Sequence, residues 1–201
     1  TQGSLGYKRT WRLALRIRIT SMALTTVQTG GMFSGFSNGI TTADHYAMTN
    51  NFTATGDTVI NDTNGVWYRV NAFGGGVSED DGAFTFPSTG LYLIMYGAFI
   101  GNHNDNSNRG YRMDLNHSTN SGGSYTRKNF AMLSMQDFET AAQSAYFSNH
   151  YFLDVTDATN ERVQFQTSTA GGGANGQVST TWGGSSTESR TNCAFFRIGD
   201  T

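Results

Sequence analysis

Cysteine and proline are almost missing from this chain of 201 residues: Cys193 and Pro87 occur once each. A lone cysteine excludes any disulfide within the chain, so packing or assembly must hold the fold. Charge is also scarce, at 14% of residues. No apolar run approaches the length of a membrane-spanning helix. Residues 1–21 lack the uninterrupted apolar core of a secretory signal, because arginines break every apolar stretch. The formal charge of −2 hides an asymmetry. Lys8, Arg9, Arg12, Arg16 and Arg18 precede the first acid, Asp44, leaving eight of the 13 basic residues against all 15 acidic ones in the rest. A body that acidic argues against nucleic-acid binding, which needs a basic surface.

What is present is glycine, with 25 residues, together with abundant Ser, Thr and Asn. That profile suits many short strands joined by Gly- and Asn-rich loops, and one domain plus an arm is the expected organisation. The densest apolar stretch is 82–100, GAFTFPSTGLYLIMYGAFI. Phe84 and Phe86 alternate about Thr85, and Pro87 to Gly90 supply turn chemistry. From Leu91 to Ile100 the alternation stops, with Tyr92, Ile94, Tyr96 and Ala98 on one face and Leu91, Leu93, Met95 and Phe99 on the other. A strand apolar on both faces needs cover on both, and a neighbouring subunit is one source of the second cover.

In order, Trp11, Leu13, Leu15, Ile17 and Ile19 alternate with Arg12, Ala14, Arg16 and Arg18, as in an anchor strand with one cationic face. The composition changes at Met22, so residues 1–21 read equally as upstream sequence. Residues 22–44 suit an extended arm, which places the body at 45–201. Strands are expected at 45–55, 65–73, 111–115, 146–155, 163–166 and 193–198. Loops are expected at 102–108, 116–124, 171–176 and 182–189. The stretch 125–138 reads as a strand, with a short helix from Ser134 through Ala145 as the rival. Strands at this spacing point to an antiparallel sandwich.

The pattern G-x-F-x-x-P-x-x-G-x-Y, here Gly82, Phe84, Pro87, Gly90 and Tyr92, resembles the signature strand pair of the globular head of complement subunit q, in the tumour-necrosis-factor superfold. ERVQFQ (161–166) and NCAFFRIGD (192–200) resemble that family's last two strands. MALTTVQTGG, FPSTGLYLI, FLDVTDAT and the closing RIGDT resemble virion structural proteins of marine bacteriophages of the cyanophage type, which carry a complement-like jelly roll behind a short arm. The resemblance implies an all-β antiparallel jelly roll that assembles as a homotrimer. It also implies a place on the virion, as a knob, fibre tip or capsid decoration fixed to other virion proteins by the arm. The absence of a collagen-like or coiled-coil stalk favours a compact knob.

Tyr92, Ile94, Tyr96, Phe99 and Phe195 are the expected trimer-interface or core residues. Asp105, Tyr125, Arg127, Lys128 and Trp182 are candidate contacts to a host glycan or receptor, with ordinary loop anchoring as the alternative. His45, His103, His117 and His150 sit in no metal spacing, and no cofactor or metal is expected. Glu79, Asp80, Asp81 and Asp105 could bind calcium, as heads of the resembled fold sometimes do, with solvated loop carboxylates as the favoured reading because a full run of alternating oxygen ligands is missing. Cys193 lies in an apolar strand and reads as an inert thiol. No serine sits in a nucleophile elbow and no glycine run has a phosphate-loop context. The reading is a non-enzymatic virion component. A secreted complement-like or cytokine-like ligand is the alternative, and a carbohydrate-active enzyme with paired carboxylates is a third class.

Overall fold

The computed structural model describes residues 39–54, 56–103, 108–134, 143–171 and 180–200. In chain order the strands are β1 (Thr42–Met48), β2 (Phe52–Ala54), β3 (Thr58–Val59), β4 (Trp67–Phe73), β5 (Ser78–Asp80), β6 (Ala83–Thr85) and β7 (Gly90–His103). They continue as β8 (Asn108–Ser118), β9 (Thr126–Ser134), β10 (Gln143–Val155), β11 (Arg162–Gly171), β12 (Thr180–Trp182) and β13 (Asn192–Gly199). There is no helix among the described residues.

The strands form two antiparallel sheets. The seven-stranded sheet runs β2-β12-β7-β13-β1-β4, with β10 also paired to β7. The six-stranded sheet runs β5-β6-β11-β8-β9, with β3 also paired to β11. The last strand of the chain is thus inserted between β1 and β7, deep in its sheet. The two antiparallel layers are the sandwich that the strand spacing implies, and the all-β jelly roll is the fold that the resemblance implies.

Why these residues take these conformations is clearest at the motif. Phe84 and Phe86 point inward and are buried, as alternation requires. Pro87 to Thr89 bend the chain, and Gly90 restarts it at φ +143°, where a Cβ would lie 2.6 Å from the Gly199 carbonyl oxygen. The Tyr92 hydroxyl then donates back to the Ser88 carbonyl at 3.0 Å, closing the corner. Gly82, at φ +83°, lies where a Cβ would come within 2.4 Å of the Ile60 carbonyl oxygen. Both positions therefore require glycine.

The core between the sheets is mainly aromatic. Phe84 is its hub, with ring centroids 5.0 Å from Phe195, 5.1 Å from Tyr46 and 5.5 Å from Phe165. Most of these contacts are edge-on or tilted, the favoured arrangement of ring quadrupoles. At one side of the sandwich the free edges of the sheets are tied by amides. Asn129 Nδ2 donates to the His150 carbonyl at 2.7 Å, and Asn149 Nδ2 donates to the Phe130 carbonyl at 2.8 Å.

Several strand limits differ from those read in the sequence. The expected strand at 45–55 divides into β1 and β2, because the intervening amides of Thr49 and Asn50 bond the carbonyls of Val66 and Gly65. β1 begins at Thr42, so Thr42, Ala43 and Asp44 pair within the sheet rather than continuing an arm. β8 runs through Ser118, into the stretch expected to be a loop. β9 takes the strand reading of its stretch, and residues 135–142, where the helix was the rival, lie outside the described residues. The expected loop at 182–189 begins inside β12, which pairs with β2 and touches β7.

Candidate functional site

Pairing between β10, β7, β13, β1 and β4 lays their side chains out in rows across the seven-stranded sheet. Residues directly paired share a face, so alternate rows face the core and the outside. One outward row reads Phe152, Leu93, Phe196, Ala43, Phe73. The next reads His150, Met95, Ala194, His45, Asn71, and the third Ser148, Gly97, Asn192, Ala47, Tyr68. These three rows contain no Asp, Glu, Lys or Arg. The apolar side chains are substantially open: Phe152 is 54% exposed, Phe73 62% and Met95 49%. The first row, with Met95 beside it, forms a contiguous apolar strip on this face.

The surface has relief. Tyr146 lies over Gly97, where a Cβ would come within 2.2 Å of its hydroxyl oxygen. Asn192 Nδ2 donates to that oxygen at 3.4 Å. Beside it is a shallow hollow of about 250 Å³, lined among others by Met95, Tyr146, Ser148 and His150. Farther along β7, Phe99 lies under the Arg190 guanidinium at 5.5 Å from its ring centre, beside a second hollow of about 540 Å³. The opposite surface of the sandwich is different. There Asp114 is buried between Arg112, 2.6 Å from Oδ1, and Arg127, 3.5 Å from Oδ2.

The residues named from the sequence distribute between these places. Tyr92, Ile94, Tyr96 and Phe195 are all buried within the subunit's own core, facing the six-stranded sheet. Phe99 alone of that group is on the outward face. The sequence reading missed Phe152, Phe196, Phe73, Tyr146 and the two histidines. For Tyr146, His150 and Phe152 a signal was present in the alternate positions of 146–152, which with Ser148 carry no charge. Trp182 is fully buried, with ring centres of Tyr111 and Phe147 at 6.3 Å, and so is no surface contact. Its ring turns inward because β12 pairs with β2 and β7 instead of looping free. Tyr125, Arg127 and Lys128 lie together at the start of β9, with the Arg127 guanidinium 5.7 Å from the Phe130 ring centre. Asp105 and the anchor residues Trp11, Leu13, Leu15, Ile17 and Ile19 lie outside the described residues.

Two buried acids have structural duties. Burial pushes the Asp44 carboxyl up, against the opposing pull of the Val77 amide, which donates to it at 2.7 Å, and of Arg69. Burial also pushes Glu161 upward, but the amides of Asp157 and Thr156, then His117 and the Thr156 hydroxyl, outweigh it and leave the carboxyl below its ordinary value. His117 Nε2 lies 2.8 Å from Glu161 Oε2. Burial raises the Cys193 thiol well above its ordinary range, which makes it unreactive. Among the described residues no group of three or more His, Cys, Asp or Glu is placed to hold a metal ion.

The architecture defines a jelly roll of the tumour-necrosis-factor type, and the solved structures bear this out. The chain is similar to murine APRIL at 15% identity and a TM-score of 0.51, over 78% of this chain and 98% of that one. It is similar to Eiger TNF of S. frugiperda at 12% identity and a TM-score of 0.56, over 82% and 96% respectively. At such identities the likeness is one of fold. No protein-family model and no curated protein sequence matches the chain.

Proposed function

We propose that this protein is a non-enzymatic structural component of a bacteriophage virion, a homotrimeric knob that displays loops toward a host surface. The observation that carries the assembly is the uncharged outward face of the seven-stranded sheet. Phe152, Met95 and Phe73 are each about half exposed, so covering them would recover roughly half of the about 1.5–3 kcal/mol that full burial of such a side chain is worth. A second exposed apolar pair, Phe130 (44%) and Met132 (58%), lies on β9 at the sandwich edge. Two unlike patches on one subunit favour a heterologous contact, edge against face, and a threefold rotation between copies closes such a contact into a ring. Resemblance of MALTTVQTGG, FPSTGLYLI, FLDVTDAT and RIGDT to cyanophage-type structural proteins supports the virion setting, with the residues before β1 docking onto other virion proteins. Three copies of a weak loop contact on one rigid head raise avidity by orders of magnitude.

The fold likeness to APRIL and Eiger TNF favours a second reading, a soluble ligand of the cytokine type. Binding of fluorescent protein to marine bacterial strains separates the two. The virion reading predicts retention by a susceptible strain that drops sharply for a subunit held single by Met95→Lys. Retention by no strain, with binding to an animal receptor ectodomain instead, overturns it.

A further inference from the structure

The middle row of the outward face places two histidines on either side of its apolar centre. Across the sheet it reads His150 on β10, Met95 on β7, Ala194 on β13, His45 on β1 and Asn71 on β4. His150 is exposed and stands edge-on to Phe152, with ring centres 6.0 Å apart. His45 is half-buried. Resting on the proposed homotrimer, we propose that these two histidines make the assembly acid-labile, a second copy being held at neutral pH and released as they take up protons.

The surroundings of each imidazole decide the direction. On the outward face β7 offers Leu93, Met95 and Gly97, β13 offers Asn192, Ala194 and Phe196, and β4 offers Tyr68, Asn71 and Phe73. In these three rows the other ionisable group is the Tyr68 phenol, and Tyr146 follows one row farther along β10. Asp154, on the same face of β10, stands beyond Phe152 and opposite Leu91. Asp44 adjoins His45 in sequence, but its side chain turns to the opposite face, where it accepts from the Val77 amide at 2.7 Å, with Arg69 Nε at 3.4 Å. β9, joined to β10 through Asn129 and Asn149, brings Arg127 and Lys128, both cations. No paired position in these rows gives either imidazolium a carboxylate.

Covering this face with a second copy takes two imidazoles out of water with no paired carboxylate beside them, and loss of water disfavours a charged imidazole. Burial already holds His45 below its ordinary value in the single subunit. A group whose value is depressed in the assembled state contributes stability above its free value and loses it as pH falls below. The assembly is consequently intact at pH 8 and weakens as pH falls below the value the imidazole has in the single subunit, which for His45 lies under the ordinary one.

Sedimentation equilibrium of the full chain at pH 8 and pH 5.5 tests this, with near-ultraviolet circular dichroism as a check that the subunit stays folded. The expected result is a trimer at pH 8 and folded single subunits at pH 5.5, the dissociation constant rising up to about tenfold per histidine per pH unit. The His45→Gln, His150→Gln double variant should remain trimeric at pH 5.5. The exposed position gives a milder variant, His150→Gln alone, which should shift dissociation partway toward lower pH. A wild-type trimer that persists at pH 5.5, or a double variant that dissociates like the wild type, overturns acid-lability and leaves the trimer standing. A single subunit at pH 8 overturns both.

Discussion

Phe195 and Phe196 are neighbours on β13 that point to opposite sides of the sheet, so replacing each should have a different kind of consequence. Phe195 is fully buried, with ring centres at 5.0 Å from Phe84, 6.1 Å from Phe86, 6.3 Å from Phe165 and 6.5 Å from Tyr46. Phe195→Ala removes a ring from the middle of that cluster. The lost transfer energy and the residual cavity together cost about 3–5 kcal/mol. That is a large share of the roughly 5–15 kcal/mol by which a domain is stable. Phe196 is only partly buried and looks outward between Leu93 and Ala43. Phe196→Thr keeps a β-branched side chain suited to a strand, and should cost the isolated subunit under about 1 kcal/mol. The assay is urea denaturation followed by circular dichroism, repeated over a hundredfold range of protein concentration. Assembly makes stability concentration-dependent by mass action, whereas a core defect is felt at every concentration. Phe195→Ala should therefore lower the midpoint at all concentrations, and Phe196→Thr only where the wild type is assembled. Equal, concentration-independent losses at both positions would refute the division of the sheet into a core face and an assembly face.

Three further outcomes follow from the geometry. Because the Glu161 carboxyl lies below its ordinary value of 4.5 in the folded chain, the stability it contributes is complete above that pH and is lost as pH falls through the folded value. A denaturation series from pH 7 to pH 3 should show this loss, and Glu161→Gln should flatten it at a cost of about 1–3 kcal/mol at neutral pH. Gly97→Ala should destabilise by about 1–3 kcal/mol, since the new methyl would meet the Tyr146 hydroxyl oxygen at 2.2 Å and the Phe147 carbonyl oxygen at 2.8 Å. Adding Tyr146→Ala should recover only part of that in the same thermal melt, because the carbonyl remains. Asn149→Ala removes the amide that reaches the Phe130 carbonyl at 2.8 Å, and should speed hydrogen exchange along β9 while lowering stability by about 1 kcal/mol.

The sandwich was legible because its longer strands and the corner motif at 82–92 announce themselves. Phe84 and Phe86 about Thr85, the Pro87–Gly90 corner, and the alternation in 111–115 and 163–166 each carry a local signal that the tertiary structure keeps. β2, β3, β5 and β12 carry none, since two or three residues show no period and exist only through their partners. Trp182 was misplaced for that reason. The face of β7 was harder still, because Tyr92 and Ile94 on one side are as apolar as Leu93 and Met95 on the other. Only the packing of the folded chain, with Tyr92 and Ile94 buried and Met95 exposed, shows which set the six-stranded sheet covers. The duties of Asp44 and Glu161 depend on partners far along the chain, Val77 and His117, which spacing does not reveal.

Everything proposed for this protein requires that the face bearing Phe152, Met95 and Phe196 be covered by identical copies. Multi-angle light scattering of the full chain at pH 8, beside the Met95→Lys variant, measures this directly. The account predicts about 65 kDa for the wild type, three times the 21.8 kDa of one chain, and a folded species of one chain's mass for the variant. A wild type that elutes as a stable single chain at every concentration, indistinguishable from Met95→Lys, would contradict it.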